Sequence, residues 1–317
     1  MVLRNHLFGS IILIAIMVFF GCFFYCTFGI VSEREMIDFN DIVTEEELRE
    51  LLKVKANHDF VFGFNLRRSI VEDIRQYVSF LKYLKKTTGY RFKLRFTRED
   101  SNIADDLGAG IIQIAAVGAD AYILARKKYG VIPVVRGLNK DGKAEYQSVL
   151  ITASDSQINK VDDLRGKRFA FGNKTSTPGH LIPRIIFFEN GVSLENLDSY
   201  AWTGSHYNCA TAVANGEFDA GGIQDTLGRE LEAEGLIRIF FTSKYYPSSG
   251  IAVSKDVSKD AIEKIKQALL DFDPKGKHAQ GLYNWDKTEM PNGFTEAFDK
   301  DYDELREWAE KLDFSER

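Results

Sequence analysis

The sequence predicts an α/β protein of two lobes flanking a cleft, preceded by an apolar N-terminal helix. Three observations carry that expectation. From residue 60 onward, strand-like apolar runs alternate with helix-like stretches, as sheets covered by helices require. The run 111–117 is apolar almost throughout, which suits a strand buried on both faces of a mostly parallel sheet. The alternation then repeats in the second half with a similar number of elements, so two sheets of comparable size are expected.

Taken in order, residues 7–31 carry no charged side chain, and about 20 apolar residues in a helix span the bilayer hydrocarbon. Arg4 precedes the stretch and Glu33, Glu35, Asp38 and Asp41 follow it, so the positive-inside bias puts the body outside the cytoplasm. A cleaved signal peptide and a lipoprotein signal ending at Gly21-Cys22 compete with a retained anchor. Phe23, Phe24 and Tyr25 are poor neighbours for a cleavage site, and Phe19 and Phe20 suit a lipidation box badly, so the anchor is preferred. Thr44-x-x-Glu47 reads as a capping box opening a short helical spacer through Lys55.

In the body, 60–64 reads as a strand, 69–86 as a helix, 91–97 as a strand and 102–107 as a short helix. A helix over 119–128 follows the buried run, and apolar stretches lie at 132–135 and 147–152. The second half reads as strand 168–171, helix 179–190 closed by Gly191, strand 197–202, helix 205–215 closed by Gly216, and strands 218–223 and 237–241. A charged helix over 299–311 ends the chain.

Composition narrows the function classes. Of 317 residues, 44% are apolar and 27% charged, which is the balance of a folded chain and excludes extensive disorder. A net charge of -5 offers no footprint for nucleic acid, and three cysteines make no disulfide framework. Cys22 and Cys26 lie in the apolar stretch, leaving Cys209 as the one thiol of the body, so its core must hold it. There is no H-E-x-x-H, no G-x-S-x-G, and the five histidines are scattered, so neither a catalytic apparatus nor a metal or other cofactor is expected. The Walker-like spacing from Gly166 to Thr175 fails because its strand falls between the glycines instead of before them. The acid pairs Asp105-Asp106 and Asp162-Asp163 read as solvated surface.

The most informative stretch is Gly172-Asn-Lys-Thr-Ser-Thr-Pro-Gly179, a hydroxyl-rich turn between a strand and a helix start. Helix starts expose unpaired N–H groups and partial positive charge, and so bind anions. Thr175, Ser176 and Thr177 exceed what one N-cap needs, and Lys174 adds charge. A second helix start, Gly204-Ser205-His206, places a histidine in a first turn, where the helix field favours the neutral imidazole. Tyr122 and Tyr146 are candidate phenolic donors from the first half, against the ordinary reading of tyrosine as packing.

These residues resemble the periplasmic phosphate/phosphite/phosphonate-binding proteins of ABC importers. The similarity is carried by Tyr146-Gln-Ser-Val-Leu-Ile, Asp163-Leu-Arg-Gly-Lys, Phe169-Ala-Phe-Gly, Ser176-Thr-Pro-Gly179, Gly204-Ser-His206 and Ala212-Val-Ala-Asn-Gly216-Glu-Phe-Asp219. Weaker similarity, including Gly118-Ala-Asp-Ala-Tyr122, extends it over most of 58–312. The resemblance implies a type II periplasmic binding protein fold, with residues 58–149 and 242–317 in lobe 1 and 150–241 in lobe 2, after an anchor or signal segment 1–31 and a spacer 32–57. It further implies a non-catalytic monomer that captures a small phosphorus oxyanion through Tyr122, Tyr146, Thr175, Ser176, Thr177 and His206 and delivers it to an ABC permease. A membrane-tethered sensor acting with a kinase is the alternative of another class. A first-lobe tyrosine of the family is replaced near Asp100-Ser101, and the acids that hold an amine in aminoalkylphosphonate binders fall at Thr226 and Ser249, with Asp225 one position away. A small oxyanion without an amine is therefore expected.

Overall fold

The computed structural model describes residues 59–97 and 102–314, so the expected anchor, the spacer and the Asp100-Ser101 position lie outside the described residues. Among the described residues no helix is long and apolar enough to cross a membrane.

The first lobe grows from β1 (Asp59–Phe64), α1 (Ile70–Thr88) and β2 (Arg91–Phe96). Ser69 caps α1 by accepting the Glu72 N–H at 3.3 Å, and Gly89 closes it in the left-handed region at φ 72. Glu72 and Asp73 stand in its first turn and Lys85 and Lys86 in its last, each sign matched to the helix dipole. After α2 (Ile103–Gly108), the wholly buried β3 (Ile114–Val117) enters the middle of the sheet. It leads into α3 (Ala119–Tyr129) and β4 (Ile132–Gly137).

The chain then crosses through β5 (Glu145–Tyr146) into β6 (Ser148–Thr152), β7 (Arg168–Phe171), α4 (Ile182–Glu189) and β8 (Ser199–Trp202). It continues through α5 (His206–Ala214), β9 (Ala220–Gln224), α6 (Asp225–Ala233) and β10 (Arg238–Thr242). It returns through β11 (Tyr246–Pro247) to β12 (Gly250–Val253), α7 (Lys259–Leu270), β13 (Phe294–Glu296) and α8 (Asp303–Lys311). The sheets run β13-β4-β12-β3-β1-β2 and β10-β6-β9-β7-β8, and β5 pairs with β11 in a two-stranded ribbon through Tyr146 and Tyr246.

The sheets are mixed, which corrects the expectation of mostly parallel ones. Pairings among β1, β2 and β3, and among β7, β8 and β9, are parallel. Those of β12, β13, β6 and β10 are antiparallel, because β6 and β12, each entered directly after a crossing, and the late strand β13 run against the other strands of their sheets. A second correction concerns the helix expected from Gly179: one π-helical turn, Thr177–Leu181, comes first, and α4 follows it. A third is Asp106, which is buried, with Arg95 at 3.5 Å, instead of solvated.

Aromatic packing fixes the first lobe. Phe80 stacks on Trp285 at 4.8 Å, and Tyr77 lies 4.4 Å from Phe64 between sheet and helix. Truncating a buried Phe such as Phe80 typically costs about 3–5 kcal/mol. The Trp285 indole N–H donates to the Met290 carbonyl at 2.9 Å, which pins the loop between them. The C-terminal segment touches both lobes, with Tyr302 4.6 Å from Tyr122 and Phe314 4.6 Å from His180.

Candidate functional site

The three hydroxyls of the 172–179 turn have three separate tasks. Thr175 donates its hydroxyl to Asn173 Oδ1 at 3.0 Å, holding the turn together. Ser176 is the N-cap, its Oγ accepting the Gly179 N–H at 3.0 Å. Thr177 reaches across the cleft, where its Oγ1 accepts the Asp120 N–H at 2.8 Å. Asp120 lies in the first turn of α3, whose N-cap Gly118 has no side chain with which to cap it. A Cβ at Gly118 would sit 2.8 Å from Thr177 Oγ1, so glycine is what admits the threonine there.

His206 begins α5 behind its N-cap Ser205, which accepts the Asn208 N–H at 3.0 Å. Its Nε2 lies 3.5 Å from Ser176 Oγ, which joins the two helix starts of the second lobe. A Cβ on Gly179 would come within 2.9 Å of the imidazole Cε1, so this approach also requires glycine. Burial, together with the nearby Arg67 cation and against the pull of Glu289, lowers the His206 pKa to about 4. The ring is therefore neutral near pH 7.

Tyr146, in the hinge ribbon, is 2% exposed, and its hydroxyl faces Thr177 and Ser249 without completing a hydrogen bond. Burial foremost raises its pKa, so it stays protonated and able to donate. Thr175, Ser176, Thr177, Tyr146 and His206 are thus brought together. Tyr122 is not: its hydroxyl donates to Asp299 Oδ1 at 2.6 Å and its ring packs on Tyr302. Its place on α3 faces the C-terminal segment, and packing takes precedence there. Lys174 is exposed, with its ammonium 5.0 Å from the centre of the Trp202 ring.

The first lobe contributes residues that sequence reasoning missed. Arg67 donates from Nε to Glu289 Oε1 at 2.7 Å and from Nη1 to the Tyr77 hydroxyl at 2.8 Å. Its backbone N–H donates to Asp73 Oδ2 at 2.7 Å. Burial, the largest single influence, pushes the Glu289 carboxyl up, but the adjoining Arg67 guanidinium, the Ser249 hydroxyl and His206 together outweigh it and hold the group below its ordinary value. Burial raises Asp73 to about 6 in spite of the N–H groups of Arg67 and Arg68. Asn65 and Ser249 join Thr177, His206 and Glu289 around one small cavity, and Arg67, His206 and Glu289 also wall a second that reaches Gln224. Nothing near Asn65, Arg67 or Glu289 in the sequence marks them as site residues, whereas Ser249 was placed there by the resemblance.

Of the positions considered for an amine, Thr226 and Asp225 accept hydrogen bonds from the Gln224 amide, both at 2.9 Å, while Ser249 lines the cleft. Among the described residues no group of three or more His, Cys, Asp or Glu is placed to hold a metal ion. Cys209 is buried, its thiol donates to the Ala170 carbonyl at 3.3 Å, and burial pushes its pKa up to about 12.

The lobes meet through further polar contacts. The Tyr207 N–H donates to the Arg67 carbonyl at 3.0 Å. Glu230 on α6 receives both Arg68 and Lys287 from the first lobe, the latter at 2.7 Å.

Two α/β lobes on a paired-strand hinge, with helix starts and neutral donors converging between them, define a solute-binding protein of the type II periplasmic class. Residues 62–302 match the family described as ABC transporter, phosphonate, periplasmic substrate-binding protein. The chain belongs to that family and is a non-catalytic periplasmic solute-binding component of an ABC importer. It is 26% identical over 251 residues to the phosphate-import protein PhnD of Mycolicibacterium smegmatis, covering 73% of this chain and 78% of that one. It is 20% identical over 269 residues to the probable phosphite-binding protein PhnD1 of Prochlorococcus marinus, covering 80% and 83%. The solved structure of PhnD1 from that organism with methylphosphonate superposes with a TM-score of 0.72 at 19% identity, over 81% of this chain and 98% of the other.

Proposed function

We propose that this chain captures phosphate, phosphite or a simple alkylphosphonate in the cleft and delivers it to an ABC permease. Residues 58–149 and 242–317 form one jaw and 150–241 the other, working as a monomer tethered by the N-terminal segment, either anchored or lipidated at Cys22. The observation that carries the ligand class is Thr177, whose hydroxyl meets the N–H of a helix start in the opposing lobe at 2.8 Å, beside Ser176, Tyr146 and neutral His206. An oxyanion entering there receives N–H groups from helix starts of both lobes and hydroxyls from three side chains. Such donors hold a negative charge without needing a cation against it.

The cavity lined by Ser176, Thr177 and His206 measures about 20 Å³ in the closed arrangement, so entry requires the lobes to part about the Tyr146–Tyr246 ribbon. The relatives named for phosphate and phosphite import favour the importer over the sensor reading.

Calorimetry on the full-length chain with phosphate, phosphite and methylphosphonate tests the proposal. Saturable binding of at least one, weakened in Ser176→Ala and Thr177→Ala, is expected. Absence of heat with all three, and no thermal stabilisation by any, would overturn it.

A further inference from the structure

Two buried polar atoms at the cleft lack hydrogen-bond partners on the first-lobe side, Asn65 Oδ1 and Glu289 Oε2. Glu289 is the more consequential. It is 6% exposed, and it sits in a loop fixed by the Trp285 indole and by the Thr288 hydroxyl, which donates to the Trp285 carbonyl at 2.7 Å. One carboxylate oxygen is engaged by Arg67 at 2.7 Å, the other has no hydrogen-bond partner, and the residue lines the cavity with Thr177, His206 and Ser249. A buried carboxylate oxygen accepts hydrogen bonds and donates none once ionised. Next to a site built for oxyanions, it meets any bare oxygen of the guest with repulsion.

We infer that Glu289 is a specificity residue that selects oxyanions still carrying a proton, taking the hydrogen of a P–O–H group on Oε2 while the helix starts hold the unprotonated oxygens. The inference rests on the proposed function, which it deepens by naming the protonation state of the ligand. An ammonium group would also offer hydrogens to Glu289. It is disfavoured because the Arg67 guanidinium already neutralises this carboxylate and would lie beside the added cation. The other charged or titratable groups around Glu289 are Arg68 ahead of α1, Asp73 and Tyr77 from α1, Lys287 from its own loop, Tyr146 from the hinge, His206 from α5 and Asp225 from α6, with both cations drawn to Glu230. None of them supplies a second buried carboxylate oxygen among the described residues that is free to take this hydrogen.

Methylphosphonate and methanesulfonate provide the test. Their monoanions match in charge and nearly in size, and differ in one hydroxyl hydrogen. Sites built around a substrate hydroxyl reject the analogue lacking it by about 10⁴-fold or more, and a cleft that opens to water retains a fraction of that. The full-length wild-type chain is expected to prefer methylphosphonate by at least about 100-fold. Its affinity for methylphosphonate should fall about tenfold per pH unit above the second pKa of the ligand, since the dianion has no hydrogen to offer. Glu289→Gln, whose amide donates as well as accepts, should narrow the preference to within about tenfold and flatten that pH slope.

Equal wild-type affinity for the two monoanions overturns the inference without any variant, and so guards against a Glu289→Gln chain that fails to fold. A folded Glu289→Gln chain with unchanged preference and slope also overturns it, as does tighter wild-type binding of 2-aminoethylphosphonate than of methylphosphonate. If the wild type binds no phosphorus oxyanion at all, the functional proposal itself has failed. Binding with no discrimination sinks the Glu289 inference alone.

Discussion

Thr177 of the second lobe caps a helix of the first: its hydroxyl oxygen accepts the Asp120 N–H at 2.8 Å, 57 residues away in the chain. The helix start at Gly118 has no cap of its own, so the contact completes α3 only when the lobes are closed. On the proposed function, an incoming oxyanion would offer the same N–H a stronger acceptor and so release the threonine hydroxyl to donate to it.

From this follows the first prediction. Thr177→Ala should weaken methylphosphonate binding about 10–100-fold, the equivalent of losing a hydrogen bond to a charged group worth about 1.5–3 kcal/mol. Thr177→Ser should recover most of the loss. Isothermal titration of the three chains decides the matter, and equal affinities for wild type and alanine variant would rule out a ligand contact at Thr177.

Gly179 supplies the second. A methyl group there would press on Ser176 Oγ at 2.8 Å and His206 Cε1 at 2.9 Å, both at the site. Gly179→Ala should displace the imidazole and abolish measurable binding, while the circular dichroism spectrum keeps its native shape. Retained affinity would mean that the ring is free to move and does not position the ligand.

The third concerns His206, whose pKa is about 4 in the folded chain against 6.5 ordinarily. Between these values the unfolded chain binds more protons than the folded one, so stability rises with pH across the interval. The contribution is complete above about pH 6.5 and is lost as pH falls towards 4, on the order of 3 kcal/mol in all. Asp73, raised to about 6, acts with the opposite sign over an overlapping range, so the diagnostic quantity is the difference between wild type and His206→Gln. Urea melts from pH 4 to 7 should show that difference growing with pH. A constant difference would place the histidine in water.

Glu230 gives the fourth. It receives Arg68 and Lys287 from the other lobe, and its own side chain is 22% exposed, so the cluster is screened in part. Glu230→Gln should remove about 1 kcal/mol from the closed form and speed ligand release about fivefold, with little change in association. Stopped-flow dissociation at low and high salt checks this, the wild type approaching the variant as salt rises. Identical release rates at low salt would show that this cluster does not hold the cleft shut.

Legibility in the sequence followed chain distance. Ser176, Thr177 and His206 stood out because a helix start is a local event, with its glycine, hydroxyl and capping residues within a few positions of each other. The strands at 60–64 and 168–171 and the helix at 119–128 were readable for the same reason, since apolar period and capping act along the chain. Tyr122 misled because its hydroxyl serves Asp299, 177 residues on, and nothing near it in sequence reveals that partner. Arg67 and Glu289, 222 residues apart, were invisible as a pair, each an ordinary surface charge when read alone.

What the sequence determined by itself was the alternation of strand and helix, the two serine-capped helix starts of the second lobe and the absence of catalytic motifs, all set by neighbours a few bonds apart. Tertiary structure alone decided which strands run antiparallel, which tyrosine faces the cleft, and that a buried carboxylate bound to Arg67 shares the site with Thr177. Those outcomes depend on which surfaces meet once the chain has crossed twice between the lobes, and burial transforms the energetics of a charge only after that meeting.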